Sequence, residues 1–308
     1  MNKQIHVPVL LQESINYLIT DKNGIYIDGT LGLGGHSEEI LKKLSKKGQL
    51  IGIDQDKKNL EFAKDRLKKY KNFTAIHANF AELKALLQKR KIKEINGLLL
   101  DLGLSSPHVD NADRGFSFLQ TGPLDMRFDV NSETTAADLL NTLDRQEITD
   151  ILRNYGEEQK AWKIAGLIIE ERRIKTFKDT DDLKNIIAKA YGREKIKGKS
   201  VATQSFQALR IAVNNEIEVL EKILDDLPEI LAPKARFVCI SYHSLEDRIV
   251  KHKLKNYSKD IYSDDWRPQL QKKATFKILT KKPFLPSEDE IKENPRSRSA
   301  KMRIAEKF

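Results

Sequence analysis

The sequence predicts an α/β protein, a doubly wound and mostly parallel sheet interrupted by an all-helical insert. Three observations carry this. Four short apolar runs alternate with helical patterns up to residue 101, and strand–helix alternation builds a parallel sheet. A glycine-rich turn, Gly29-Thr30-Leu31-Gly32-Leu33-Gly34-Gly35, joins the first run to its helix, which is how such sheets make a nucleotide site. The alternation then stops and resumes only at the apolar run Phe237–Ser241, and the stretch between reads as helix and loop.

His6 to Leu11 is apolar and extended around Pro8, and Gln12 to Ile19 reads as a short helix. The first strand, from Ile25, ends in Asp28. A helix over Ser37–Leu44 follows, with Ile40, Leu41 and Leu44 on one face. Leu50 to Asp54 is a second strand ending in an acid, and Lys57–Tyr70 a helix with Leu60, Ala63 and Leu67 inward. Phe73–His77 is the third strand and leads to Ala78-Asn79-Phe80. After a helix over Ala81–Lys91, Ile95–Asp101 is the fourth, with the near-continuous apolar run of a central parallel strand. Asp28, Asp54, Phe80 and Asp101 thus all fall at or just beyond strand carboxyl ends, where open α/β sheets bind ligands.

A loop rich in glycine, proline and charge covers residues 102–127. Helices are then expected at about Ser132–Asn141, Asp144–Tyr155, Glu157–Arg173 and Thr180–Tyr191. Asp144 and Glu147 have capping-box spacing, and Gly156 and Gly192 sit where C-caps belong. Thr203–Leu227 reads as one long crossover helix closed by Pro228. It leads to the fifth strand, a basic helix to about Asn256, and two final strands at Ala274–Thr280 and Lys301–Ala305. Residues 1–108 and 203–308 are assigned to the core, and 109–202 to the helical insert.

The glycine spacing bears on the ligand. A dinucleotide turn wants G-x-G-x-x-G, and here Ser37 stands at the third place. Asp-x-x-x-Gly-x-Gly-Gly from Asp28 is similar to motif I of S-adenosylmethionine methyltransferases, with Thr30 where many carry another glycine. An acid beside the turn suits the cofactor's ammonium and would repel a pyrophosphate. Asp54 has the place of a ribose acceptor, and Phe80 that of a ring beside adenine, plain core packing being its other reading. A methyltransferase with a Rossmann-like core leads. An NAD-type oxidoreductase is the alternative.

Composition sets bounds. The 308 residues are 39% hydrophobic and 32% charged, with a mean hydropathy of −0.54. No apolar run reaches transmembrane length, and the N-terminus lacks a signal-peptide core, so a cytoplasmic protein without membrane association is expected. The lone Cys239 reads as a small buried residue. Six histidines and one cysteine show no zinc-ligand spacing, so no metal is expected. Net charge is +10, and residues 251–308 hold 16 Lys/Arg against 8 Asp/Glu. That bias suits a phosphate backbone, or is merely a solvated lysine-rich surface.

Longer runs carry a resemblance. They are His6-Val7-Pro8-Val9-Leu10, Tyr26-Ile27-Asp28-Gly29-Thr30 with Gly34-Gly35-His36-Ser37, and Leu100-Asp101-Leu102-Gly103 with Ser105-Ser106-Pro107. Further on stand Arg114-Gly115-Phe116-Ser117-Phe118, Gly122-Pro123-Leu124-Asp125-Met126-Arg127, Tyr155-Gly156-Glu157-Glu158 and Ser205-Phe206-Gln207-Ala208-Leu209-Arg210-Ile211. His243-Ser244-Leu245-Glu246-Asp247-Arg248 and Asn294-Pro295-Arg296-Ser297-Arg298-Ser299-Ala300 complete them. Together they resemble the bacterial 16S ribosomal RNA cytosine-N4 methyltransferases, the RsmH or MraW family.

The resemblance implies a class I methyltransferase core and S-adenosylmethionine as cofactor. It implies methylation of N4 of one decoding-region cytosine, conventionally position 1402, in 16S rRNA of the small ribosomal subunit. The cofactor positions carried over are Gly34, Gly35, His36, Asp54, Phe80, Asp101 and His108. The family often has Gln at the last of these, and Gly-Gly where Lys234-Ala235 stands here. Cytosine N4 needs acceptors for its amino hydrogens and in-line positioning. Many amino-methyltransferases use Asp/Asn-Pro-Pro-Tyr after the fourth strand; this chain has Asp101-Leu102-Gly103-Leu104-Ser105-Ser106-Pro107, without the aromatic. Ser105 and Ser106 are the catalytic candidates there. His243, after the fifth strand, is a third, with helix capping as its other reading. A non-catalytic RNA-binding protein on the same scaffold is a further alternative.

Overall fold

The computed structural model describes residues 8–192, 201–262, 266 and 269–308. His6 and Val7 of the N-terminal match, and residues 193–200 of the expected insert, lie outside the described residues. The chain forms two compact units: Met1–Gly103 with Glu218–Phe308, and Leu104–Ile217.

In the first unit the strands are β1 (Ile25–Asp28), β2 (Gln49–Asp54), β3 (Phe73–His77), β4 (Ile95–Asp101), β5 (Leu231–Ser241), β6 (Ile261–Tyr262), β7 (Leu270–Lys272), β8 (Phe276–Ile278) and β9 (Lys301–Lys307). Seven form one sheet in the order β3-β2-β1-β4-β5-β9-β8. The first five are parallel, whereas β9 runs antiparallel to both β5 and β8. Strand order reverses at β1, so the crevice between β1 and β4 is the topological switch point. The strands alternate between two faces. Ile27, Leu98, Leu100 and Phe237 meet Leu87, Leu220, Leu224 and Leu254 on one side. Tyr26, Leu99, Val238 and Ile240 meet Ile15, Ile40, Leu60 and Leu67 on the other. Among the described residues no helix is long and apolar enough to cross a membrane.

Three expectations need correcting here. The long crossover helix is two helices, Thr203–Asn214 and Glu216–Ile230. They are separated by Asn215 at φ 48°, a left-handed conformation that asparagine tolerates better than most residues. Asn214 ends the first helix by accepting from Phe128 N (2.8 Å) and donating to Met126 O (2.8 Å). Second, Pro228 lies inside the second helix rather than closing it. A proline leaves the carbonyl four residues back without its donor, and the Tyr257 hydroxyl donates to that carbonyl, Leu224 O, at 3.2 Å. Third, β5 starts at Leu231, six residues before the expected Phe237, with Lys234 at φ 64°. That left-handed position accounts for the comfort of a glycine there. The β6–β7 hairpin was not anticipated.

The second unit is helical, with Ala136–Thr142, Arg145–Gly156, Ala161–Glu171, Thr180–Tyr191 and Thr203–Asn214 around a core that includes Ile148, Leu152, Ile164, Ile168, Leu183, Ile187 and Phe206. The Asp144–Glu147 capping box forms as expected, and Asp179–Asp182 makes another. Gly192 follows its helix at φ 62°. Gly156 is no cap: it is the last helical residue, and Glu157 takes the left-handed position. A Cβ on Gly156 would lie 2.5 Å from Gln204 O and 3.0 Å from Ala208 Cβ. Glycine is there because helix Thr203–Asn214 presses against that turn. Residues 104–108 and 203–217 accordingly fall in the second compact unit.

A candidate cofactor site at the carboxyl edge of the parallel sheet

The site begins with the turn after β1. Asp28 is buried (1% exposed). Its carboxylate accepts from Ser37 Oγ (2.7 Å) and Thr30 N (3.3 Å). Burial raises its pKa, opposed first by the nearby His36 and then by those two hydrogen bonds. Ser37, at the third-glycine place, thus serves as a donor to Asp28, and Asp28 braces the turn from within. Gly32 (φ 50°) and Gly34 (φ 77°) take left-handed conformations, where a Cβ is strained.

The tip of the turn is tied to β2. Gly32 N donates to Asp54 Oδ2 at 2.7 Å, and Asp56 N donates to Asp54 Oδ1 at 2.7 Å. Each oxygen keeps a lone-pair direction for a further donor. Burial pushes the Asp54 carboxyl up to about 7, against the pull of these two amides. At β4, Asp101 N donates to Thr30 Oγ1 (2.7 Å), which explains threonine where glycine is common. Asp101 Oδ2 stands 3.8 Å from His36 Nδ1, and Asp101 Oδ1 accepts from Tyr242 Oη at 2.8 Å. Burial lowers the His36 pKa, against the attraction of Asp28. Phe80 opens a 3-10 turn capped by Asn79 and is half-buried against the core. Gly29 lets it approach, since a Cβ there would lie 3.3 Å from Phe80 Cβ and 2.5 Å from Leu100 Cδ2.

Two features of the site escaped the sequence reading. The N-terminal segment lies on the glycine turn: a Cβ on Gly35 would stand 2.4 Å from Pro8 Cγ, and His36 Nε2 is 3.1 Å from Val9 O. Leu10 (φ 51°) donates its N–H to Glu290 Oε1 at 2.7 Å, 280 residues away in sequence, where no local pattern reveals it. Tyr242 is the other, a residue next to one that was singled out.

Six of the seven cofactor candidates therefore stand in the first unit, along or beside one sheet edge: Gly34, Gly35, His36, Asp54, Phe80 and Asp101. His108 belongs to the second unit. There it is buried, its ring 4.9 Å from that of Phe116 and 5.1 Å from that of Phe128. Ser105 is the N-cap residue of the short helix Ser106–Asp110, and its carbonyl accepts from His108 N at 3.0 Å. His243 caps helix Ser244–Tyr257. Glu246 N approaches His243 Nδ1 at 3.4 Å, Glu246 Oε1 lies 3.0 Å from His243 Nε2, and Glu246 Oε2 accepts from Tyr242 N at 2.9 Å. His243 thus serves as a helix cap.

Two carboxylates (Asp54 and Asp101) on one edge suit a nucleoside that carries positive charge. A pyrophosphate would meet those acids and a turn whose third-glycine place is held by Ser37, itself bonded to Asp28. Fold and site define a class I S-adenosylmethionine-dependent methyltransferase. The profile of the MraW methylase family matches residues 3–308, and the chain belongs to that family. Among relatives, the ribosomal RNA small subunit methyltransferase H of Halothermothrix orenii is 46% identical over 305 residues, spanning 98% of both chains. That of Clostridioides difficile is 47% identical over 307 residues, 98% of this chain and 99% of its own. The residues at the sheet edge fit S-adenosylmethionine. Asp54 offers acceptors for ribose hydroxyls, Phe80 a ring face, and Gly34 and Gly35 a turn without side chains.

Proposed function

We propose that the protein methylates N4 of one cytosine of 16S rRNA within the small ribosomal subunit, at position 1402 of the decoding centre, in the bacterial cytoplasm. Near-half identity over 98% of the chain to relatives named for small-subunit rRNA methylation carries this reading. S-adenosylmethionine supplies an electrophilic methyl group, and the protein's task is positioning and desolvation. Asp54 and Asp101 orient the cofactor. The Ser105-Ser106-Pro107 stretch offers acceptors for the amino hydrogens of cytosine, and the target base must leave any stack to reach them.

Replacing Ser105 and Ser106 together by alanine should leave S-adenosylmethionine affinity unchanged and slow single-turnover methyl transfer by at least about tenfold. A contact made only in the transition state shows in the rate constant and not in subunit affinity. A near-wild-type rate would shift the acceptor role to backbone carbonyls. Parallel loss of cofactor binding would make the stretch part of the cofactor pocket.

The basic C-terminal region supports an RNA substrate. Lys272, Lys273, Lys281 and Lys282 are all exposed, and the antiparallel β6–β7 pair, which includes Lys272, exposes Ile261, Tyr262 and Leu270. Exposed aromatic and basic groups together are what single-stranded RNA binds. Neutralising the four lysines should flatten the slope of log K against log salt by roughly three units if all four touch phosphate. An unchanged slope would leave them as solvated surface.

The function itself is tested by incubating the protein with methyl-labelled S-adenosylmethionine and small subunits that lack the modification. Label transferred to 16S rRNA is expected. RNA binding without transfer would indicate a non-catalytic RNA-binding protein, and NAD binding in place of S-adenosylmethionine would indicate an oxidoreductase.

A further inference from the structure

Tyr242 stands immediately after β5, beside the end of β4. Pairing of the two strands runs past Asp101, since Leu102 N donates to Ile240 O at 2.9 Å. The backbone of Tyr242 is held from the other side by Glu246. Its ring lies against Gly103, where an added Cβ would come within 2.7 Å of Cε2. With backbone and ring both fixed, the hydroxyl has one place to go, Asp101 Oδ1 at 2.8 Å. Burial and the Asp101 charge raise the phenol well above its ordinary value, so it remains a donor at every working pH.

We propose that Tyr242 is a positioning residue for the cofactor: its hydroxyl holds Asp101 by Oδ1, so that Oδ2 faces His36 and the glycine turn. The proposal rests on the reading of Asp101 as a cofactor contact. An aspartate turns freely about two side-chain bonds, and the Thr30 contact fixes only the Asp101 backbone N–H. A donor anchored in the neighbouring strand selects one rotamer. Titratable groups that interact with Asp101 besides Tyr242 include His36, Asp28 and Cys239.

Tyr242→Phe keeps the ring against Gly103 and removes only the hydroxyl. Binding of S-adenosylmethionine is measured by calorimetry for the wild type, Tyr242→Phe, Asp101→Ala and the double variant, all at about pH 8. Tyr242→Phe should bind up to about tenfold more weakly, the cost of ordering one freed side chain on binding. In the Asp101→Ala background the same change should cost less than about twofold, because Tyr242 acts through Asp101. Wild-type affinity in Tyr242→Phe would overturn the proposal, as would an equal loss in both backgrounds. If the wild type itself does not bind S-adenosylmethionine, the cofactor reading fails, and the proposal with it.

Discussion

Asp54→Asn should weaken S-adenosylmethionine binding by about ten- to a hundredfold and should also flatten the fall in stability of the empty protein between about pH 4 and 8. The two effects share a cause. Burial raises the Asp54 carboxyl from 3.8 to about 7, so the folded protein holds a proton that the unfolded chain releases. The resulting stabilisation is fully present below about pH 4 and is lost as pH rises through 7. At about pH 8 ionising the buried carboxylate has cost up to a few kcal/mol; asparagine has no such pH dependence, but its NH2 group replaces one acceptor oxygen and faces the N–H of Gly32 or Asp56. Ribose hydroxyls donate to the ionised form, so wild-type affinity should rise with pH through about 7, and Asp54→Asn should show no such rise. Calorimetry and thermal melts at pH 6 and 8 test both halves. A variant whose melting point falls between pH 6 and 8 as steeply as the wild type's, and that binds cofactor like the wild type, would remove Asp54 from the site.

Asp247→Ala should produce the largest loss of stability. Arg303 on β9 is buried and gives Asp247 two hydrogen bonds, at 2.6 and 3.0 Å. The pair ties helix Ser244–Tyr257 to the antiparallel strand that covers the far side of β5. Removing one partner of a buried pair leaves the other charge uncompensated, at a cost of about 3–5 kcal/mol. For a unit of this size the melting temperature should fall by roughly 10 °C, with cofactor affinity little changed below the transition. An unaltered melt would mean that the ion pair contributes nothing net. The Glu-Asp of His243-Ser244-Leu245-Glu246-Asp247-Arg248 is then structural, Glu246 holding the cap and Asp247 the strand.

What could be read from the sequence was local. β3 and β4 have the bounds that their apolar runs indicate, and Asp28, Asp54 and Asp101 end their strands as expected. These features follow from side-chain alternation and from acids placed where an apolar run stops. The Asp144–Glu147 box was visible because its partners are three residues apart. Contacts spanning the chain left no such period. Glu290 with Leu10, Tyr242 with Asp101 and Arg303 with Asp247 were found only in three dimensions.

The helix break at Asn215 was hidden by an apolar rhythm running through it, from Phe206, Leu209 and Val213 to Ile217 and Leu220. Pro228 misled because the Tyr257 hydroxyl replaces the donor that proline lacks. Gly156 misled because its missing side chain admits a neighbouring helix rather than a left-handed turn. The β6–β7 strands are two and three residues long and exposed, too short and too poorly buried to mark themselves.

The central claim is that the acid-lined sheet edge delivers a methyl group to cytosine N4. It is tested most directly by digesting small subunits, methylated in vitro with labelled S-adenosylmethionine, to single nucleosides. All the label should run with N4-methylcytidine, and Asp54→Asn should reduce its amount at limiting cofactor. Label in 5-methylcytidine, in a 2′-O-methyl nucleoside or in protein would contradict the claim.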